Sequence, residues 1–542
     1  MVTIDFTSKT KLLIDNLKSV CAQYGLGNDG NEFKIIVQVF LFKFLNDKFA
    51  HEIKKLDERL RKSEKWEEEL ANYTEKEYEM LIFSLPVETA KLKQIHLISY
   101  LYNNQNRDDY AMLFDDTLND IAVYNSDIFS VKTGGGAQVT LFDKRLSHYI
   151  TDESERDSFC KALINPLVNF SFEGIFSQKY DFFATIFEYL IKDYNTDSGG
   201  KYAEYYTPHA VAKIMAEILV EGQPSNVTCC DPSAGSGTLL MSLAHRIGED
   251  RCTIYSQDIS QKSSTMLRLN LILNNLVHSI PNIIQGDTLL NPYHKENNKL
   301  QKFHYIVSNP PFKLDFSNIR EDLDSEKHHD RFFAGVPKVP SKKVESMAIY
   351  LLFIQHIIYS LKPNGKAAVV VPTGFLTYQS GIEKKIRQKL VDKKMLGGVV
   401  SMPSNIFAST GTNVSILFID KTNQSGNIVL LDASKLGDII KDGKNQKTLL
   451  STTEEQQIID TFINKAVIED FSVVVSYDEI KEKNYSFSAG QYFDVKIEYS
   501  DISPEEFTSK IQEFKSNLKN LFTESKRLET KIQMQLEELK YE

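Results

Sequence analysis

The sequence predicts an α/β protein built on a mostly parallel open sheet with helices on both faces, with an all-helical N-terminal domain before it and a long C-terminal helix after it. Three observations carry this. Up to about residue 180, apolar residues are dense and recur at helical spacing. From about Tyr202, short apolar runs alternate with amphipathic segments. From Ser503, apolar residues fall on a heptad-like repeat. The expected divisions are 1–180, 181–480 and 481–542.

The bulk numbers set the frame. With 542 residues, the chain has room for about three or four domains. A formal charge of −10 argues against a protein coated in basic surface, so any nucleic-acid contact must come from local patches or from a partner. The five cysteines (Cys21, Cys160, Cys229, Cys230 and Cys252) form no CxxC pair and no zinc spacing. A reduced cytoplasmic protein is expected, with no secretory signal, because the first residues are polar and of mixed charge. Met347–Leu361 is interrupted by Gln355 and His356 and is too short for a membrane span, so it is expected to be a buried helix.

In the N-terminal region, Phe33–Phe49 and the charged stretch Lys54–Tyr78 predict helices. Lys132–Gln138 (KTGGGAQ) predicts a loop rather than a phosphate cradle, since no clear strand precedes it. Strands are then predicted at Val227–Asp231, Cys252–Asp258, Asn282–Asp287 and within FHYIVSNPPF (Phe303–Phe312). Helices are expected from about Thr238 and over 263–276. The helix Met347–Leu361, the strand GKAAVVVP, the helix Glu383–Lys394, the strand GGVVSMP and a last strand Asn413–Asp420 complete the alternation. At the C-terminus, Ser503, Pro504 and Glu506 form a capping box in sequence. Phe507, Ile511, Phe514, Leu518, Leu521, Leu528, Ile532 and Leu539 follow in a seam weakened by Ser525 and Gln535. A helix over Ser503–Tyr541 would be about 58 Å long and cannot bury that seam alone, so it needs a second helix in this chain or in a partner.

The chemistry gathers at the strand ends. Asp231–Leu240 (DPSAGSGTLL) joins a strand to a helix, and Gly235 and Gly237 permit a tight turn and close ligand approach. It lacks the Lys-Ser/Thr of a triphosphate loop and the GxGxxG spacing of a dinucleotide site. An acid at the start of such a turn suits a ligand without phosphates. Asp258 ends the second strand, where a carboxylate can accept both hydroxyls of a ribose. Asp287 ends the third, where another acceptor can meet an adenine amino group. Turn capping is the plainer role for either acid taken singly. Downstream, the fourth strand runs into Asn309-Pro310-Pro311-Phe312. Prolines have no N–H and a fixed φ, so they end a strand abruptly.

These motifs in this order resemble S-adenosylmethionine-dependent amino-methyltransferases, whose sheet is Rossmann-like. Gly199–Pro208 (GGKYAEYYTP) is similar to the element that precedes the cofactor motif in adenine DNA methyltransferases and folds against the methionine part of the cofactor. The order of the three motifs resembles the modification subunit of type I restriction–modification systems. TIFEYLI, Phe353–Pro372, Gly397–Lys421 and Phe487–Phe493 agree, so the similarity spans most of the chain from about Asp181. The commonest pattern in the cofactor loop is Gly-Thr-Gly-Gly where this chain has Gly235-Ser236-Gly237-Thr238, and the ribose acid is often Glu rather than Asp258; the needed atoms remain.

The resemblance implies that S-adenosylmethionine is held by Glu204, Tyr205, Tyr206, Thr207, Pro208, His209, Asp231, Gly235, Ser236, Gly237, Thr238, Asp258 and Asp287. Asn309, Pro310, Pro311 and Phe312 would be catalytic, with no metal. An exocyclic aromatic amine is a poor nucleophile, and acceptors aimed at its two N–H bonds favour tetrahedral geometry and developing positive charge. The Asn309 side-chain oxygen and the Pro310 carbonyl are the natural pair, with Phe312 stacking on the base. A base in a duplex must be flipped out to reach them.

The same four residues occur in methylases of protein glutamine and of RNA guanine, and cytosine amino methylation also fits. A non-catalytic assembly subunit with this fold is a further alternative. Cytosine carbon methylation is disfavoured, because no cysteine follows a proline. The expected function is methylation of the adenine amino group in DNA. The implied partners are DNA, a specificity subunit and a restriction subunit, with two copies of this chain per specificity subunit and no membrane. The C-terminal helix is the candidate docking element. Lys338, Lys342 and Lys343 in a proline-braced loop are candidate phosphate contacts. His328, His329 and Asp330 read as a surface loop and Cys229 and Cys230 as strand residues.

Overall fold

Short runs rich in β-branched residues pair into one eleven-stranded sheet. In chain order its strands are β1 (Val131–Thr133), β2 (Gln138–Val139), β3 (Val227–Asp231), β4 (Cys252–Asp258), β5 (Ile283–Gln285), β6 (Phe303–Ser308), β7 (Leu361–Pro372), β8 (Leu396–Ser401), β9 (Val414–Asp420), β10 (Ile428–Asp432) and β11 (Ser472–Val475). The computed structural model describes residues 2–27, 30–133, 138–142, 145–176, 189, 207–407, 413–442, 445–493 and 503–538. Met1–Tyr492 form one unit and Phe493–Glu542 a second.

The spatial order is β11-β10-β8-β9-β7-β6-β3-β4-β5-β1-β2. β4, β3, β6 and β7 run parallel to their neighbours in that stretch, as do β4 with β5 and β5 with β1. β9 inserts antiparallel between β7 and β8. The chain moves outward from β3 to β4 and β5, then returns to lay β6 on the other side of β3. That reversal opens a crevice between the carboxyl ends of β3 and β6, the place where open α/β sheets bind ligands.

Two edges differ from the sequence expectation. β9 is not the last strand: β10 pairs parallel with β8 and β11 pairs antiparallel with β10. Both ends of the loop expected at Lys132–Gln138 are strand, β1 and β2, which pair antiparallel, and β1 also pairs with β5; residues 134–137 lie outside the described residues. The helical N-terminal region therefore lends a hairpin to the sheet. Arg268, buried on the helix Gln261–Leu273, fixes that hairpin by donating to the carbonyls of Val139 (3.0 Å) and Thr140 (2.9 Å).

One hydrophobic core runs from N-terminal helices (Leu13, Phe40, Phe114) onto one face of the sheet (Cys229, Ile254, Val307, Ile416). A smaller core, with Leu289, Phe316, Leu323, Phe332, Ile349 and Phe353, gathers the segment between β6 and the helix Tyr350–Ser360. That helix is buried nearly throughout, and no helix among the described residues is long and apolar enough to cross a membrane. In the second unit, Pro504–Glu538 is one helix of 35 residues. The expected capping box forms: Ser503 Oγ accepts from Glu506 N, and Glu506 Oε2 accepts from Ser503 N, both at 3.2 Å. Its apolar residues stand exposed, Phe507 at 56%, Leu521 at 66% and Ile532 at 56%. Leu539 and Tyr541 lie outside the described residues.

Candidate active site

The turn after β3 takes its shape from two glycines with left-handed backbone, Gly235 (φ +53°) and Gly237 (φ +84°). Gly237 opens the helix Thr238–Ile247, and a Cβ there would come within 2.2 Å of Leu267 Cδ1. The glycine is thus required by both backbone and packing. Asp231, 1% exposed, accepts from Ser233 N (2.9 Å) and Ser308 Oγ (3.0 Å). Burial pushes its carboxyl up to about 7, against those hydrogen bonds and with a further push from nearby Asp258.

Asp258 at the tip of β4 accepts from Gly235 N at 3.0 Å on one oxygen and from Ser260 N at 2.8 Å on the other. Burial also raises its carboxyl above the ordinary range. Asp287 Oδ1 accepts from Leu289 N (2.8 Å) and Leu290 N (2.9 Å). Thr288 Oγ1 donates toward Pro232 O (2.7 Å) and Gln257 O (3.1 Å), tying the three turns together. Capping and ligand binding are therefore not rival roles here. The acids cap their turns and also line one cavity of about 310 Å³. A carboxylate oxygen that accepts one backbone N–H keeps a lone pair for a second donor.

The other wall comes from β6. Ser308 Oγ lies 2.7 Å from Ser233 Oγ, which locks the end of β6 against the glycine turn. Asn309 follows directly and donates through Nδ2 to Thr207 Oγ1 at 3.2 Å. Asn309 and Pro311 line the cavity that Asp231, Asp258 and Asp287 line. Phe312 is half-buried and packs edge-on against Tyr350, centroids 6.2 Å apart.

Of the residues expected from sequence, the cavity walls bring together Thr207, Asp231, Gly235, Ser236, Thr238, Asp258, Asp287, Asn309 and Pro311. Pro208, His209, Gly237, Pro310 and Phe312 are not on its walls. Glu204, Tyr205 and Tyr206 lie outside the described residues. Sequence reasoning missed Ile259, Thr288, the run Lys313–Phe316, Ile349 and Phe353, all on the walls. Ile259 carried a usable signal, an apolar residue directly after a strand-end acid, and it is 70% exposed at the cavity edge. Phe316, Ile349 and Phe353 carried none, because the small core that brings them to the cavity is assembled from a long irregular segment.

The cavity fits S-adenosylmethionine. Its volume suits a small organic ligand. Two strand-tip carboxylates face it with apolar side chains between them, which suits a nucleoside without phosphates.

Lys338, Lys342 and Lys343 are exposed. Their loop is braced by Arg320 Nε donating to Pro337 O (3.1 Å), and its far end by Leu314 N donating to Met347 O (3.1 Å) beside the cavity. His328 shares a 3.2 Å contact with the Arg331 guanidinium, and His329 Nε2 meets Asp324 O at 3.0 Å. No group of three metal-binding side chains occurs among the described residues.

Comparison with known proteins agrees with this geometry. The model of the N-6 DNA methylase family matches residues 178–501. The methylase subunit of type I restriction enzyme MpnII from Mycoplasma pneumoniae is 26% identical over 451 residues, which are 80% of this chain and 79% of that one. The methylase subunit of type I restriction enzyme MjaIX from Methanocaldococcus jannaschii is 28% identical over 398 residues, 70% of this chain and 66% of that one. Among solved structures, a type I restriction–modification methyltransferase subunit from Streptococcus thermophilus shares the fold. Its TM-score is 0.70 at 21% identity, over 90% of this chain and 100% of that chain.

Proposed function

The chain belongs to the N-6 DNA methylase family, and from that premise we propose how its residues divide the work. It is an adenine-specific DNA methyltransferase that uses S-adenosylmethionine, of the kind that serves as modification subunit in a type I restriction–modification system. When bound, the cofactor supplies an electrophilic methyl group on a sulfonium. Asp258 and Asp287 hold its ribose and adenine ends, and the Asp231–Thr238 turn takes the rest. The apolar wall of Ile259, Leu289 and Phe353 excludes water from the nucleoside.

Asn309 Oδ1 and the Pro310 carbonyl accept from the two N–H bonds of a flipped adenine amine. The trans prolines hold both oxygens in place at no cost in reorganisation. Phe312, steadied by Tyr350, offers the base a stacking face. The observation that carries this reading is that Asn309 shares one cavity with Asp231, Asp258 and Asp287.

DNA and the other subunits of the system are its partners, in the cytoplasm where they meet. The helix Pro504–Glu538 docks the specificity subunit through its exposed stripe, two copies of this chain to each specificity subunit. The work divides over a mostly helical region at 1–180 that lends β1 and β2 to the sheet, a methyltransferase domain at 181–480 and a docking extension at 481–542. The test is transfer of tritiated methyl by the purified chain, with and without its specificity partner, and mass spectrometry of the modified base. Label on adenine is expected. Label on protein or RNA instead would overturn the reading.

A further inference from the structure

An asparagine amide has an acceptor end and a donor end of nearly the same shape, and only one serves an amine substrate. Pointed the wrong way, the Asn309 amide would set N–H against N–H at the reacting nitrogen. Something must bias it. In this structure Asn309 Nδ2 is engaged by Thr207 Oγ1 at 3.2 Å, and among the described residues no donor meets Oδ1. Both residues line the same cavity.

Thr207 is well placed to impose this bias. It is 5% exposed and directly precedes Pro208, the N-cap of the helix His209–Leu219. That helix is anchored by Val211, Ala212, Ile214 and Met215, all at most 1% exposed, and by Ala212 N donating to Pro208 O at 3.1 Å. The hydroxyl therefore sits on a fixed support, while Asn309 is held through Ser308 on the other side of the crevice.

We propose that Thr207 is a positioning residue that sets the orientation of the Asn309 amide by accepting from Nδ2, leaving Oδ1 to the target amine. This deepens the role given to Asn309 above and rests on it. It also differs from a cofactor-holding role for Thr207, and kinetics separates the two. A residue that acts through the amide changes kcat; one that only holds cofactor changes cofactor affinity.

The experiment uses the full chain with its specificity partner, assayed for adenine methylation at saturating S-adenosylmethionine, with S-adenosylhomocysteine binding followed by calorimetry. Thr207→Val keeps the shape and removes the acceptor. Its kcat should fall about tenfold, the upper worth of one neutral hydrogen bond, with S-adenosylhomocysteine Kd within twofold of wild type. Thr207→Ser should recover most of the rate. Thr207→Ala is the second variant, expected to match Thr207→Val, and retained S-adenosylhomocysteine binding reports that each variant is folded. An unchanged kcat in Thr207→Val, a loss confined to cofactor KM, or Thr207→Ser as slow as Thr207→Val would each overturn the proposal. Asn309→Ala run alongside keeps the two levels apart: if it too retains full turnover, the reading of Asn309 has failed, not merely this inference.

Discussion

Asp231 holds a proton at a pH where most carboxyls have lost theirs. Its carboxyl titrates at about 7 in the fold, because it is buried and Asp258 lies close, against about 3.9 in an unfolded chain. Between those values the folded protein binds a proton that the unfolded chain releases, so the group's stabilising contribution is complete below about pH 4 and is lost as pH rises through 7. The melting temperature of the ligand-free protein should therefore fall between pH 5 and 8. Asp231→Asn should flatten part of that fall and raise the melting temperature at pH 8, while weakening cofactor binding. A scanning calorimetry series in pH checks this. At the end of β6, Asn309→Ala should lower kcat by about a hundredfold or more, the range for removing one preorganised group at a developing charge, with cofactor affinity nearly unchanged. At this scale the place of the candidate site was legible: Asp231 and Asp258 end strands, Asp287 and Asn309 follow them, and all four line one cavity. The Thr207–Asn309 hydrogen bond was not, since it joins residues 102 positions apart.

The turn Asp231–Thr238 makes the same point for elements. Gly237→Ala puts a methyl group 2.2 Å from Leu267 Cδ1 and forces a left-handed φ on alanine. It should cost at least about 1 kcal/mol of stability and weaken S-adenosylmethionine binding, read by chemical denaturation and calorimetry. Strands β3, β6 and β9 were legible because each is a mostly apolar run bounded by turn residues. β10 and β11 were overlooked although β10 is apolar up to its last residue, Asp432, because the βα alternation had lapsed by then. β1 and β2, of three and two residues, are too short for any period to register. The proline-braced loop that holds Lys338, Lys342 and Lys343 bears its own prediction. Replacing Lys338, Lys342 and Lys343 together by alanine should lower the salt dependence of DNA binding by the complex, by about 0.9 in log–log slope for each phosphate that these lysines neutralise. An unchanged slope would leave the loop as solvated surface.

For the whole molecule, the division into two units sets the prediction. A chain ending at Asp501 should still bind S-adenosylmethionine, with Kd within about twofold, and should fail to assemble with the specificity subunit in size-exclusion chromatography. Assembly by the shortened chain would place docking elsewhere. The N-terminal region is not separable in that way, since its side chains share one core with the sheet. Its helices could be read from sequence; its share in the sheet could not. One consequence concerns the margin of the sheet beside Asp287. The hairpin there occupies the outer side of β5 and takes up hydrogen-bonding groups that would otherwise face water. An isolated catalytic fragment starting near Thr207 would lay that flank bare, inviting strands of neighbouring molecules to add on. Oligomers growing edge to edge are then the expected fate of such a fragment, whatever the condition of its cofactor pocket.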